Sequence, residues 1–314
     1  MEYRKLISFG KSSYVISLPK SWIRQNQLKK GDLIYVDERE NSLVLDSKET
    51  SVIEEKSKAI SVDGKSIEWI TRELNSAYIE NYREIVLTGK ELKEKSEAIL
   101  PKIRELIALE VMELDGNKIV TKDFLNMNKV SIPELIRKMD MIIRSMLKDC
   151  ANIFAEDTVD NIYLRDKDVN RLSFLIYRAI RYGIRNPSLM LKNFDVKPID
   201  LLNDYWVGFH LEAVGDSAKR IARELRKSNL PVNKQKEFSL LFNQVTEFYL
   251  GALKAYYQKD HKTSLELSNS KDVLIAKIRQ FYEQNKTKKI KPAIYLFYQF
   301  IESIHELCRL SYQV

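Results

Sequence analysis

The sequence has few of the residues that build covalent, metal-held or phosphate-cradling frameworks. Its two cysteines, Cys150 and Cys308, lie far apart in apolar helical contexts, which gives neither a disulfide framework nor a metal spacing. Nine glycines leave little for a nucleotide-binding loop, and neither a Ser/His/Asp order nor a His-Glu-x-x-His motif is present. We therefore expect no catalytic site.

Long apolar runs are also missing. The longest runs span only a few residues, whereas a helix needs about 20 apolar residues to cross a bilayer. Met1 is followed by charged residues rather than by a signal-peptide core. We expect no membrane insertion and a cytoplasmic location.

Acidic residues are scarce near the N-terminus. The whole chain carries 52 Lys and Arg against 44 Asp and Glu, a net charge of +8. Residues 1–31 hold seven of the basic side chains and a single acid, Glu2. This surplus favours a polyanionic partner such as double-stranded DNA. The alternative is an ordinary solvated surface, because lysines are exposed almost everywhere.

The first 46 residues show the pattern of two strand pairs around a short helix. Alternating apolar residues predict two strands that end at Pro19, which cannot donate to a ladder. A helix follows over residues 20–25. A turn in which Gly31 supplies a positive φ then leads to strands at 33–36 and 42–45. The expected order is ββαββ.

Residues 1–48 form the first predicted domain, which is too small to stabilise itself. Domains of this size usually need a metal, a disulfide or a second copy, and the first two are lacking. We therefore expect a homodimer or a higher oligomer. Its cations would anchor phosphates, its serine hydroxyls would take oriented hydrogen bonds, and Arg4 is the best candidate for a base edge. The candidate DNA-binding residues are Arg4, Lys5, Lys11, Ser12, Ser13 and Lys20.

Five segments of this domain resemble the AbrB family, also called SpoVT-AbrB or MazE-like: residues 4–6, 9–11, 15–20, 22–24 and 28–32. The resemblance covers residues 3–46, and Gly10, Pro19 and Gly31 stand at family spacing. It implies a domain-swapped, dimeric β-barrel whose basic loops and strands contact DNA. Here Lys11 stands where the family often has arginine, which keeps the charge but loses the bidentate fork.

Two further domains follow a polar linker. Residues 59–126 alternate strand and helix patterns and predict a small βαβαββ module with a hairpin across Asp115-Gly116-Asn117. Residues 131–314 show helical seams with steps of three and four residues, among them Val207 to Leu225 and Phe238 to Tyr256. Proline and asparagine breaks divide this region into about six helices, which we expect to form two three-helix units.

Part of the helical region resembles the PhoU family. Residues 164–172 are similar to its second helix, and residues 198–201 and 210–222 are similar to its third. The resemblance implies paired three-helix bundles, control of phosphate uptake, a phosphate transporter or signalling protein as partner, and metal clusters on E/D-x-x-x-D motifs.

Glu212 and Asp216 are the candidate metal ligands. Four residues apart on a helix, they share a face and offer oxygen donors to a divalent or iron-type metal. The alternative is a solvated charged face, because Asp216 and Arg220 form an i, i+4 pair. Asn170 also stands where the PhoU family has an acid. Of the histidines, His261 is predicted in a loop and His305 as a satisfied core residue.

The preferred interpretation is an α+β multidomain protein. It combines an N-terminal swapped-hairpin β-barrel that is dimeric, the βαβαββ module and a C-terminal all-α PhoU-like bundle of two three-helix units. Its function would be DNA-binding transcriptional regulation linked to phosphate homeostasis. The alternative is a PhoU-like adaptor that restrains a phosphate transporter or sensor kinase, with the barrel serving only for dimerisation. An antitoxin fits less well, since such proteins usually end in a short disordered tail.

Overall fold

A computed structural model describes residues 3–39, 42–47, 56–155, 158–186, 196–286 and 289–312. The chain divides into two compact units, residues 1–54 and 55–314. Together they give a mixed α+β fold with short N-terminal strands and a largely helical C-terminal region. The finer division at residues 59–126 and 131–314 stays a prediction.

The N-terminal unit has the predicted ββαββ order. Its elements are β1 (Ile7–Phe9), β2 (Ser13–Val15), α1 (Lys20–Gln25), β3 (Tyr35–Arg39) and β4 (Ser42–Asp46). Each strand pair is an antiparallel hairpin, and the two hairpins form separate two-stranded sheets. The predicted barrel therefore stays a prediction. Gly31 has the expected positive φ, 96°.

A four-stranded sheet begins the second unit. Its elements are β5 (Ser57–Ser61), α2 (Ile67–Ile79), β6 (Glu84–Thr88), α3 (Leu92–Arg104), β7 (Leu109–Leu114) and β8 (Lys118–Asp123). The strand order is β5-β6-β8-β7, with β5 and β6 parallel because α2 crosses between them. The predicted βαβαββ order is confirmed, although β5 begins two residues before Ala59.

Seven helices follow in the described residues where about six were expected. They are α4 (Ile132–Ala151), α5 (Val159–Arg185), α6 (Pro198–Arg226), α7 (Val232–Gln258), α8 (His261–Ser268), α9 (Ser270–Gln284) and α10 (Lys291–Tyr312). The predicted breaks include neither the division between Ala151 and Val159 nor the one at Asn269. None of the described helices is long and apolar enough to cross a membrane.

The helices share one hydrophobic core. Helices α4, α5 and α6 pack against one another, and α10 packs on α6, α7, α8 and α9. The predicted seams are buried, from Val207 to Leu225 on α6 and from Phe238 to Ala252 on α7. The arrangement as two three-helix units stays a prediction, because a single core joins all of these helices.

A buried ion pair joins the sheet to α5. Arg178 is fully buried and donates to Asp123 Oδ2 at 2.6 Å and, through Nε, to Asn81 Oδ1 at 3.0 Å. Its guanidinium lies 4.4 Å from the centre of the Tyr78 ring. Arg83 also donates to Asp123. Since a buried charge is tolerated only with such partners, this network fixes α5 on the sheet.

Candidate nucleic-acid interface

The β1–β2 hairpin carries most of the candidate DNA-binding residues. Its last pair is Phe9 opposite Ser13, and the turn begins at Gly10, whose φ is 71°. This left-handed backbone favours glycine. Ser13 Oγ donates to the Phe9 carbonyl at 3.1 Å, so the Ser13 hydroxyl helps to hold the turn. Ser12, beside it, is exposed.

The candidate cations all lie on the surface. Arg4, Lys5, Lys11 and Lys20 are exposed. In the described part of the chain, Lys5, Lys11 and Lys20 have no carboxylate partner. A cation without an internal partner is free to displace counterions from a phosphate backbone. The hairpin and the start of α1 therefore present an uncompensated positive surface.

Local hydrogen bonds hold the segment after α1 in place. Asn26 Nδ2 donates to the Trp22 carbonyl at 2.9 Å, and Ser47 Oγ donates to Asn26 Oδ1 at 3.0 Å. The backbone N–H of Lys29 donates to Asp32 Oδ2 at 2.7 Å. Asp32 thus closes the turn next to Lys29.

No buried core lies beneath these cations among the residues whose burial the structure describes. Every residue of the N-terminal unit whose burial the structure describes is exposed or half-buried. Phe9 and Leu33 are 68% and 74% exposed. Apolar surface on this scale is rarely left to water in a stable domain. The larger apolar side chains that remain exposed in the described residues of this unit are Tyr3, Leu6, Ile7, Phe9, Tyr14, Val15, Ile16, Leu33, Tyr35, Val36 and Leu43.

The candidate metal ligands lie together on α6, but cations already neutralise one of them. Asp216 is bound by Lys219 at 2.8 Å and by Arg220 at 2.6 Å. Lys219 also contacts Asp166 of α5 at 2.8 Å. Burial, and to a smaller extent the nearby Asp216 and Asp166 carboxylates, raise the pKa of Glu212.

The Lys219 ammonium lies between Asp166 and Asp216, where a metal would have to bind both. Among the described residues, no three His, Cys, Asp or Glu side chains come close enough to hold a metal ion. The metal site at Glu212 and Asp216 stays a prediction, and this geometry favours the alternative of a charged helix face.

Two of the histidine predictions are wrong. His261 is the first residue of α8 rather than a loop residue, because Asp260 caps this helix by accepting the Thr263 N–H at 3.0 Å. His305 is not satisfied: its Nδ1 is buried and has no hydrogen-bond partner in the described structure. Burial and Lys271 lower the pKa of His305, which favours the neutral ring.

A second group of polar side chains was not predicted from the sequence. Asp204 of α6, Tyr256 of α7 and Arg137 of α4 line a cavity of about 370 Å³ among the helices. The sequence pattern that points to this cavity is weak. Asp200 and Asp204 are four residues apart, but such spacing is common on solvated helix faces, and Tyr256 continues a core seam.

Comparison with known proteins gives one match. Residues 7–53 match the model of a family described as antidote-toxin recognition MazE, bacterial antitoxin. The segment agrees with the resemblance found at residues 3–46, and it covers only a short N-terminal part of the chain. No PhoU family model matches the helical region. Comparison with curated proteins and with solved structures gave no match.

Proposed function

We propose that this chain is a non-catalytic regulator that binds double-stranded DNA through its N-terminal unit, paired with the same unit of a second copy. A MazE/AbrB-like domain supports a DNA-binding or antitoxin-type regulator. Such domains bind DNA and usually dimerise. Both classes share DNA binding, so the proposal rests on that common property. The family match at residues 7–53 is the observation that carries it.

Five of the six candidate residues contact DNA in this proposal, and Ser13 holds the hairpin turn. Lys5, Lys11 and Lys20 are exposed without described acidic partners and would contact phosphates, which fixes the position of the protein on the duplex. Arg4 has the fork geometry that suits a guanine edge. Ser12 would donate to a phosphate oxygen.

The second copy follows from the missing core. Four short strands in one chain leave their apolar side chains exposed, and burial of such side chains is the main favourable term in folding. A paired unit buries these faces against each other. It also presents the β1–β2 hairpin twice, which doubles the number of phosphate contacts.

Phosphate sensing and a transporter partner are left out of this proposal. Both rested on the resemblance of the helical region to the PhoU family, for which no family model matches. The adaptor alternative can be distinguished by experiment. An adaptor uses the N-terminal unit only for dimerisation, whereas the proposed regulator also uses it to bind DNA.

Fluorescence anisotropy with a labelled random-sequence duplex, titrated at several salt concentrations, tests the proposal. For B-DNA, each neutralised phosphate contributes about 0.9 to the slope of log K against log salt. The double variant Arg4→Glu, Lys11→Glu removes two cations per copy, so we expect weaker binding and a slope smaller by roughly 2 to 4 in a dimer.

The double variant Lys138→Glu, Lys148→Glu is the matched control, because it reverses two exposed lysines on α4 in the other unit. We expect this control to bind DNA as the unmodified chain does. Unchanged affinity and slope in the Arg4, Lys11 variant would rule out the hairpin as the DNA contact and favour the adaptor.

A further inference from the structure

The helical region contains a cavity that the DNA-binding proposal does not use. It has a volume of about 370 Å³, within the range typical of small-molecule sites. Its walls come mainly from α4, α6, α7 and α10, with His261 at the start of α8 also lining it. Ile136 and Leu310 supply apolar surface, and Asp204, Tyr256 and Tyr257 are among its polar groups. All of these residues belong to the second compact unit.

Asp204 is the buried charge of this cavity. Its residue surface is 8% exposed, and its Oδ1 accepts a hydrogen bond from the Tyr256 hydroxyl at 3.1 Å. No cationic side chain of the described structure pairs with it. Burial is the main cause that raises the pKa of Asp204 to about 6, so the carboxylate is still mostly ionised at neutral pH. A buried carboxylate usually has a cationic partner.

Neighbouring contacts hold the aromatic wall in place. The Tyr257 hydroxyl donates to Asp140 Oδ2 at 3.2 Å, and the rings of Tyr256 and Tyr257 lie 5.4 Å apart. The Arg137 guanidinium lies 5.5 Å from the centre of the Tyr257 ring. These bonds fix the two tyrosines, so the wall is formed before any ligand arrives.

We infer that this cavity binds a small molecule with a primary ammonium group, which pairs with Asp204 while its apolar body packs against the tyrosines and Leu310. An anion would face the Asp204 carboxylate, and a neutral molecule would leave that carboxylate unpaired. A metal ion finds no suitable donor set among the described residues. Asp200, also on the wall, is engaged by the Lys197 backbone N–H at 2.9 Å.

The exposed cations Arg137 and Lys259 further narrow the ligand class. Both line the cavity, and they disfavour a second positive group on the ligand. The site therefore selects a monoamine over a polyamine. An amine whose other end carries a carboxylate gains an additional contact with these cations.

Isothermal titration calorimetry on the full chain tests this inference. The probes are 2-phenylethylamine, its neutral isostere 2-phenylethanol, the zwitterion phenylalanine and the polyamine spermidine, all at pH 7.5. We expect binding of the monoamine, with phenylalanine at least as tight, and no detectable binding of the alcohol or of spermidine. Equal binding of amine and alcohol, or no binding of either amine, would overturn the inference.

Asp204→Asn removes the charge and keeps a carbonyl oxygen for the Tyr256 hydroxyl. We expect this variant to bind 2-phenylethylamine at least tenfold more weakly. The matched control is Glu134→Gln, which removes one exposed carboxylate from α4 outside the cavity, and we expect unchanged binding. Leu310→Trp fills the cavity and is expected to abolish binding with the charge retained. Full affinity in both cavity variants contradicts the assignment, whatever the outcome of the DNA experiments.

Discussion

Replacing Asp204 with asparagine is expected to stabilise the unliganded protein at neutral pH. In the folded chain, burial and the nearby Asp200 raise the pKa of this carboxyl from 3.8 to about 6. Each pKa unit corresponds to about 1.36 kcal/mol, so the ionised form costs the folded state roughly 3 kcal/mol. Asparagine carries no charge to desolvate and still accepts from Tyr256.

The pH dependence follows from the sign of this shift. The folded chain holds the Asp204 proton more tightly than the unfolded chain does. Its contribution to stability is therefore fully present below pH 3.8 and is lost as the pH rises through about 6. Roughly half of the loss, about 1.5 kcal/mol, falls between pH 5 and pH 8. The Asp204→Asn variant does not lose this stability, because asparagine does not ionise.

Urea denaturation followed by circular dichroism at pH 5, 6, 7 and 8 measures the effect on both proteins. Between pH 5 and pH 8, the free energy of unfolding of the variant should rise by about 1.5 kcal/mol relative to that of the unmodified chain, with little further change above pH 7. A difference that stays constant with pH would show that the carboxyl is not desolvated. The premise of the amine site would then be lost as well.

Two further substitutions test the framework on which the sites depend. Asp123→Asn leaves the fully buried Arg178 without its anion and should lower the free energy of unfolding by about 3 to 5 kcal/mol. The control Glu113→Gln, in an exposed pair with Lys118, should lower it by under about 1 kcal/mol. Urea midpoints that move equally in the two variants would contradict the buried network. Gly10→Ala places a side chain at φ 71° with no atom within 4 Å of the new Cβ. We expect a conformational cost of about 1 kcal/mol and weaker DNA binding by anisotropy, and unchanged binding would mean that the turn is not part of the interface.

Local sequence signals were enough for the elements and for the position of the cationic hairpin. The bounds of α1, residues 20–25, and the positive φ of Gly31 were both predicted, because each depends on neighbouring residues alone. The βαβαββ order followed from periods of two and 3.6 residues for the same reason. The break at Asn269 was missed because a single asparagine without a neighbouring proline also occurs within helices.

Two of the buried charges, Arg178 and Asp204, could not be predicted from local patterns. Arg178 lies on a helix that otherwise alternates charged and apolar residues, and it is buried because Asp123, 55 residues away in sequence, packs against it. Asp204 meets Tyr256 across 52 residues. Contacts between residues so far apart produce no periodic pattern in the sequence. The seam that correctly placed Phe238 and Phe242 in the core also placed Tyr256 there, although its hydroxyl lines a cavity.

The two units differ in the source of their stability, and this difference bears on regulation. The second unit buries its own hydrophobic cores within one chain, one in the sheet module and one among the helices, with side chains such as Leu211 and Phe242 fully buried. The N-terminal unit leaves Phe9 and Leu33 largely exposed, and in the proposed regulator it gains folding free energy by pairing with a second copy. Because association is linked to concentration by mass action, DNA binding in the proposed regulator depends on how much of the chain is paired. A signal that changes pairing would therefore change DNA occupancy without altering any residue of the DNA-contacting hairpin.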